Sequence, residues 1–515
     1  MFVWRIVARA ITLRFMFDLL VRVLIHVRPR LSSVLALVVV ALHPMLISRA
    51  TLPPQDAVTM LWQAAEELRA LRSYTGAIQA YERIAALSPT DPAPLVAVGY
   101  IYLAQQEWLL ATDAFNRALA RRIDFGSAWT GLASASWARG DLHAAVTQWQ
   151  TALEYQPDMM QARLGLALGF IYEGQLHEAA TTLAAGVAML QSGASLPIEQ
   201  SGAMASAYLL RGAILALESP VEARRELSLI ADNAPQETLV ARNHLVEALD
   251  RAAAADTPAQ ATKYIGLAIM KAELWPLARL ALMRAYSLQP DDAETVASLG
   301  YVEAMMGLDR PAWEHLSTAV VLRPQWSLAR LWLGRYCLQN GLLYLSIAQL
   351  RMASALELSD TTALLELSRA YVSLGNYAQA EQALLAAVER APYDLDVRLA
   401  LVNFYADSLW HVADRGLAAA KSAAEMAPQD ARVRDMLGWM YLLAGDMDQA
   451  RLHLFSALAL KPDQASTYYH LGKFYLALGF QDHARTAFCR AVDLDSTGQL
   501  RPRALRSLTQ LNQTS

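Results

Sequence analysis

Apolar and small residues in this chain recur in steps of three and four, the spacing that gathers side chains on one face of a helix. The whole pattern then returns with a step of 34. Small side chains stand at Ala65, Gly99, Ala133 and Ala167, again at Gly266, Gly300, Gly334 and Ser368, and again at Gly438 and Gly472. Twelve positions after most of these comes a second small residue (Ala77, Ala111, Ala145, Ala179, Ala278, Ala312, Ala380, Ala450, Ala484). Four positions later comes a bulky apolar one (Tyr81, Phe115, Trp149, Leu183, Leu282, Leu316, Leu384, Leu454, Phe488). The pattern predicts two helices per unit, and self-similarity at this period marks a repeat architecture.

Each column has a physical reason. Small residues let two helix axes approach, and the bulky residue fills the space between them. Glycine inside a helix costs roughly 1 kcal/mol against alanine, so its return at one register predicts a packing requirement. A second set of glycines (Gly140, Gly174, Gly307, Gly341, Gly375, Gly445, Gly479) falls between the two helices of a unit, where a left-handed turn residue is wanted. Proline closes many units (Pro89, Pro157, Pro290, Pro324, Pro392, Pro428, Pro462), since it lacks the N–H to continue a helix.

The period and columns closely resemble the tetratricopeptide repeat family. The stretch from Ala431 to Pro462 shows it most plainly, with Leu437-Gly438, Tyr441, Gly445, Ala450, Leu454, Ala457 and Pro462 in place. The resemblance covers about residues 58–186 and 259–498, in eleven units and one degenerate one. It implies an all-α fold, a right-handed solenoid of stacked antiparallel helix pairs. The expected division is residues 1–50 as a separate N-terminal segment, 58–186 as an N-terminal stack, 187–258 as an irregular helical joint, 259–498 as a C-terminal stack, and 499–515 as a capping helix and tail. Within 187–258 lie Gly193, Pro197, Pro220, Pro235 and Pro258, with one weak unit around Tyr208–Pro235. Ser346 replaces the first alanine of its unit, and two extra residues enter near Asp407–Ala413. The polar helix expected from Gln499 to Leu511 suits a terminal repeat, which has no neighbour to cover its apolar face.

The first fifty residues break the pattern. They carry seven arginines against the single acid Asp18, so a chain of net charge −4 has a body of −10. A nine-residue apolar run, Val34–Leu42, follows the arginines, and Ser48-Arg49-Ala50 ends in the small residues a signal peptidase reads. The segment is expected to be a secretory signal or a membrane anchor. In both cases the preceding positive charge holds the N-terminus in the cytoplasm and sends the body across. The alternative is a pair of soluble N-terminal helices on a cytoplasmic protein.

Composition narrows the chemistry. The chain is 55% apolar, which supports a core and argues against disorder. An acidic body disfavours nucleic acid as a partner. Two cysteines, Cys337 and Cys489, four units apart, are expected to be buried small hydrophobes and not a bridge. No two histidines lie within four residues, so helical metal pairs are absent. Catalytic serine elbows, phosphate loops and dinucleotide fingerprints are absent too. No cofactor, metal or enzymatic activity is expected. His143 and His177 recur at matching places near the start of second helices, which suits a surface or capping role.

In repeats of this family the first helix of each unit lines the concave groove. One position after the small column, that face carries Tyr301, Arg335, Arg369, Asn403, Trp439 and Lys473, with Tyr469 one turn before Lys473. The earlier counterparts, Tyr100, Ser134, Leu168 and Leu267, are less polar. Guanidinium groups suit carboxylates, and aromatic rings give contact area at low entropy cost. The expectation is a scaffold of the cell envelope that binds peptide segments or helices of protein partners in this groove. The alternative is a part in envelope polysaccharide assembly or export, with glycan or synthase contact. Leu399 stands one turn before Asn403 where some relatives use lysine to grip a terminal carboxylate, so that clamp is not implied.

Overall fold

The computed structural model describes residues 54–191, 198–495 and 498–514. The expected signal or anchor at 1–50 lies outside them. Among the described residues the chain is all-α, with 26 α-helices, one π-helical turn and no strand. None of these helices is long and apolar enough to cross a membrane. The described residues divide into two compact parts, 54–139 together with those from 488 onward, and those between 140 and 487.

In the larger part, antiparallel helix pairs follow one another in chain order, each packed on the next, which makes an α-solenoid. From the N-terminal side come Leu142–Tyr155, then Met160–Tyr172 with Leu176–Gln191, Ile198–Leu215 with Pro220–Leu227, and Gln236–Ala253. Regular pairs follow: Pro258–Lys271 with Trp275–Leu288, Ala293–Met305 with Asp309–Leu322, Ser327–Gln339 with Leu343–Leu356, and Thr362–Ser373 with Tyr377–Arg390. Leu395–Ser408 with Leu417–Met426 and Ala431–Leu443 with Met447–Leu460 continue the series, and Ala465–Ala477 is followed by Gln481–Leu494. First helices also touch the first helices of adjacent units.

The columns read from the sequence form the contacts predicted for them. A methyl group added at Gly334 would meet Leu350 Cγ at 2.7 Å, and one at Gly438 would meet Leu454 Cγ at 2.8 Å. The close approach of helix axes therefore excludes any side chain there. All seven inter-helix glycines have positive φ, from +71° to +87°, and four of the described turns do the same work with Arg72, Gln106, Glu273 and Leu409. Ser346 sits where its unit lacks alanine. It is fully buried, and its hydroxyl donates to the Gly334 carbonyl at 2.8 Å, so the extra oxygen is not left unpaired.

An arginine six positions after the closing proline ties many units together. Arg330 donates Nε to the Pro324 carbonyl at 2.8 Å, Arg398 to Pro392 at 2.9 Å, and Arg434 to Pro428 at 2.8 Å; Arg163 reaches Pro157 through Nη2 at 2.8 Å. The remaining fork of Arg330 reaches Gln349 and that of Arg398 reaches Ser422, both on the second helix of the same unit. One guanidinium thus pairs a carbonyl of the loop between units and, in Arg330 and Arg398, a side chain of the following second helix.

The segment read as a joint, 187–258, carries the helices Ile198–Leu215, Pro220–Leu227 and Gln236–Ala253, joined by turns. Its residues Tyr208, Ile214, Leu227 and Leu245 share one apolar core with Met160 before it and Ile265 to Val302 after it. Near Asp407–Ala413 the two extra residues appear as a left-handed Leu409 and His411, followed by a π-helical turn, Val412–Gly416.

The smaller part joins the N-terminal helices Pro54–Ala70, Tyr74–Leu87, Ala93–Ala104, Trp108–Arg121 and Gly126–Ala138 to the last residues of the chain. Phe115 fills the space against both Gly99 and Gly131. Asp493 accepts from Thr75, Arg490 donates to the carbonyls of Leu71 and Arg72, and Arg501 pairs with Glu107 at 3.0 Å and Gln105 at 3.1 Å. Asp495 caps the final helix, Arg501–Thr514, by accepting from the amides of Leu500 and Arg501 at 2.7 Å. The helix Arg501–Thr514 thus packs with the N-terminal repeats.

Candidate functional site

The residues one place after the small column lie on successive first helices, which keep the same face at each repeat. The structure sorts them into three groups. The first is aromatic. Tyr301 lies against Trp332 with ring centres 4.8 Å apart and presents an edge to Trp275 at 6.2 Å; Trp326 in turn meets Trp332 at 6.3 Å. Aromatic pairs at these separations stabilise one another beyond their buried area, so Tyr301 is held by its neighbours.

The second group is charged. Arg335 and Arg369 converge on one oxygen of Glu366, at 3.4 Å through Nε and 3.1 Å through Nη1. Glu366 is 7% exposed, while the two guanidinium groups remain open to solvent. The trio carries one net positive charge. An incoming carboxylate would meet two guanidinium forks already oriented by an internal acid. Exposed ion pairs stabilise a fold weakly, so this arrangement positions charge more than it adds stability. Asn403, on the next first helix, is exposed.

The third group surrounds Trp439. Its ring stacks flat on His470, with centres 4.4 Å apart and planes 11° from parallel. His470 Nδ1 lies 2.9 Å from Asp435, whose other oxygen accepts from Ser466 at 2.6 Å and Gln464 at 3.2 Å. Tyr469 is 6.4 Å from Trp439, and the Lys473 ammonium lies 5.6 Å above the Tyr469 ring. Partial burial holds the Lys473 pKa below the usual lysine value.

Sequence reasoning found the half-buried and exposed members of these groups and missed the buried acids beneath them. Glu366 lies three positions before Arg369, and Asp435 four before Trp439. An acid one turn back on the buried side of a first helix was the available signal. A further buried acid, Glu303, takes Arg279 at 3.1 Å and His315 at 2.6 Å. These acids each have cationic or hydrogen-bonding partners, which is the condition for placing a carboxylate inside a fold. The earlier counterparts of the ladder are spent locally. Tyr100 meets Phe115 edge-on at 5.3 Å, and Ser134 donates to the Thr130 carbonyl at 3.0 Å. Leu168 and Leu267 are half-buried apolar residues packed against the core.

His143 and His177 are exposed on second helices. Cys337 is buried and Cys489 half-buried, and burial pushes the Cys337 thiol up to about 11. Among the described residues no cluster of three or more His, Cys, Asp or Glu side chains could hold a metal ion.

Family models for the tetratricopeptide repeat match residues 130–197, 361–394 and 465–497. No curated protein matches the chain. Among solved structures, similarity extends to yeast Tom70, at 14% identity over 82% of this chain and 96% of that one, with a TM-score of 0.39. A tetratricopeptide repeat protein from Parabacteroides merdae gives 14% identity, 52% and 99% coverage and a TM-score of 0.40. Pseudomonas aeruginosa pilF gives 17% identity, 42% and 96% coverage and a TM-score of 0.34. Helix pairs in chain order, glycine turns between them, a 34-residue step and three stretches that match the family's own models have one common account: the chain carries tetratricopeptide repeats.

Proposed function

We propose that this chain is a non-enzymatic scaffold that docks segments of partner proteins on the first helices of units 293–477. The observation that carries the reading is the Arg335–Glu366–Arg369 trio, set between two aromatic groups at Tyr301 and Trp439. The cations engage carboxylates of the docked segment, and Tyr301, Asn403, Trp439, Tyr469 and Lys473 supply contact area and polar ends. The arginine-led apolar run at the start of the chain supports placing the repeats in the cell envelope, outside the cytoplasm.

The test is charge reversal. Arg335→Glu with Arg369→Glu should abolish capture of protein partners from intact envelopes while leaving the helical signal in circular dichroism unchanged. Partner capture that survives the reversal, or a captured glycan in place of protein, would remove this reading. Location is tested separately by fractionation with and without residues 1–50. A full-length chain already in the soluble cytosolic fraction would contradict the envelope assignment.

A further inference from the structure

North of the charged trio in chain order, the same first-helix face is indented. Helices Gln236–Ala253, Pro258–Lys271, Ala293–Met305 and Ser327–Gln339 enclose a pocket of about 330 Å³. Tyr264, Leu267, Trp326 and Trp332 form its walls, and most of the lining is apolar. This is the lower end of the size range of sites that bury a ligand. It is also large enough for one aromatic side chain. Trp332 is the ring that stacks on Tyr301, so the pocket and the ladder share a wall.

Among the described residues, three polar features of the pocket lack a carboxylate or hydrogen-bond partner. The Arg251 guanidinium lies 4.1 Å above the Tyr264 ring, and no carboxylate pairs with it. Lys271 is exposed at the rim without an acid partner. Nδ1 of His244 is buried in the pocket lining and has no hydrogen-bond partner. The acids at the rim are Glu247 and Glu294. Glu294 is already engaged at 3.0 Å by Lys263, which also holds Asp292 at 3.1 Å. The uncommitted charges therefore sum to one positive, beside a trio that carries another.

We infer that this pocket receives an aromatic side chain of the docked segment, and that the segment is acidic on either side of it. The inference rests on the docking surface proposed above and names its partner class: an acidic protein segment anchored by one aromatic residue. The ring is enclosed by Tyr264, Trp326 and Trp332, where aromatic contacts concentrate binding energy. Its flanking carboxylates meet Arg251 and Lys271 on one side and reach toward Arg335 and Arg369 on the other.

The experiment uses the full chain and a fluorescein-labelled peptide, Gly-Asp-Glu-Trp-Asp-Glu-Gly, read by anisotropy. Two control peptides replace Trp with Ala, or all four acids with Lys. The tryptophan acidic peptide is expected to bind at least tenfold more tightly than either control, and more weakly as salt rises. Arg251→Glu with Lys271→Glu, both at exposed positions, should weaken it tenfold or more at unchanged helicity; Tyr264→Ala should do the same. If tryptophan and alanine peptides bind alike, or the charge reversal changes nothing, the inference is overturned. Should the pocket variants be silent while the Arg335 and Arg369 reversal abolishes partner capture, the pocket falls and the docking surface stands. Should both sets be silent, both fall.

Discussion

The amide and hydroxyl of Thr75 donate to the same oxygen of Asp493, at 3.1 and 2.9 Å, across 418 positions of chain. Burial pushes the Asp493 carboxyl above its ordinary range, and the two bonds from Thr75 offset part of that rise. A carboxyl raised by folding binds more protons in the folded state than in the unfolded one. Its contribution to stability is then full below the unfolded value, near 3.9, and is lost as pH rises through the folded value. Asp493→Asn should therefore flatten the pH dependence of this contact. Amide hydrogen exchange over Tyr74–Leu87, at pH 4.5 and pH 7, measures it: protection in the parent chain, relative to the variant, should be greater at the lower pH. A relative gain at the higher pH would contradict the assignment.

Gly334 and Leu350 form a close pair that can be tested by a double-mutant cycle. A methyl group at Gly334 would come within 2.7 and 2.8 Å of Leu350 Cγ and Cδ2. Gly334→Ala should cost about 1–3 kcal/mol by overpacking, and Leu350→Ala about 2–5 kcal/mol by leaving a cavity. The double variant should cost less than the two together, because the new methyl enters the space vacated. Urea denaturation read by far-ultraviolet circular dichroism supplies the three values. Strict additivity would show that the two side chains do not compete for one space.

Glu366 is predicted to restrain the arginines it orients. Glu366→Gln removes the internal acid while keeping its shape, so the site gains one unit of positive charge. Affinity for the acidic tryptophan peptide should rise severalfold at low salt, and the gain should shrink at high salt as screening shortens the reach of the charges. Anisotropy titrations at two ionic strengths are sufficient. Lower affinity would mean that holding the guanidinium forks in place matters more than freeing their charge.

Asp435 should be the most expensive single polar change near Trp439. Its two oxygens take His470, Ser466 and Gln464 at 1% exposure. Asp435→Ala strands those partners and should destabilise the fold by about 1–3 kcal/mol, as leaving buried polar groups without their acceptor does. The Trp439 ring, stacked on His470, should lose its fixed orientation. Near-ultraviolet circular dichroism, with Trp439→Phe to define that ring's share, reads the change. A fully retained Trp439 signal in Asp435→Ala would show that His470 is held by its packing alone.

The helix pairs were legible in the sequence because their packing repeats. Ala77, Tyr81, Phe115 and Leu454 each face a local neighbour that recurs at the same offset, so one physical demand is written many times. The inter-helix glycines were legible for the same reason. Contacts made once leave no such trace. Nothing in the spacing of Asp493, Arg490 or Arg501 points to Thr75, Arg72 or Glu107, because the partners lie some four hundred positions away and occur in one copy. The arginine six positions after the closing proline does repeat in four units, at Arg163, Arg330, Arg398 and Arg434, and it went unread. Long cations on a helix are ordinarily solvated, and the carbonyl it serves belongs to the preceding unit. For the candidate surface, the exposed side chains followed from register alone. The buried acids that decide their charge did not, since Glu366 and Asp435 occupy positions where the repeat usually places apolar or small residues.

The shared unit of the first repeats and the last residues also sets a timetable. Val492, Leu494, Ala504 and Leu511 are buried when that unit is complete, yet they are synthesised some four hundred positions after the helices they pack with. At roughly 5–20 residues per second, the earliest helices wait on the order of 20–80 seconds for them. During that interval a nascent chain carries an unfinished N-terminal fold, and the helpers that shield newly made polypeptides have a defined window in which this protein needs them.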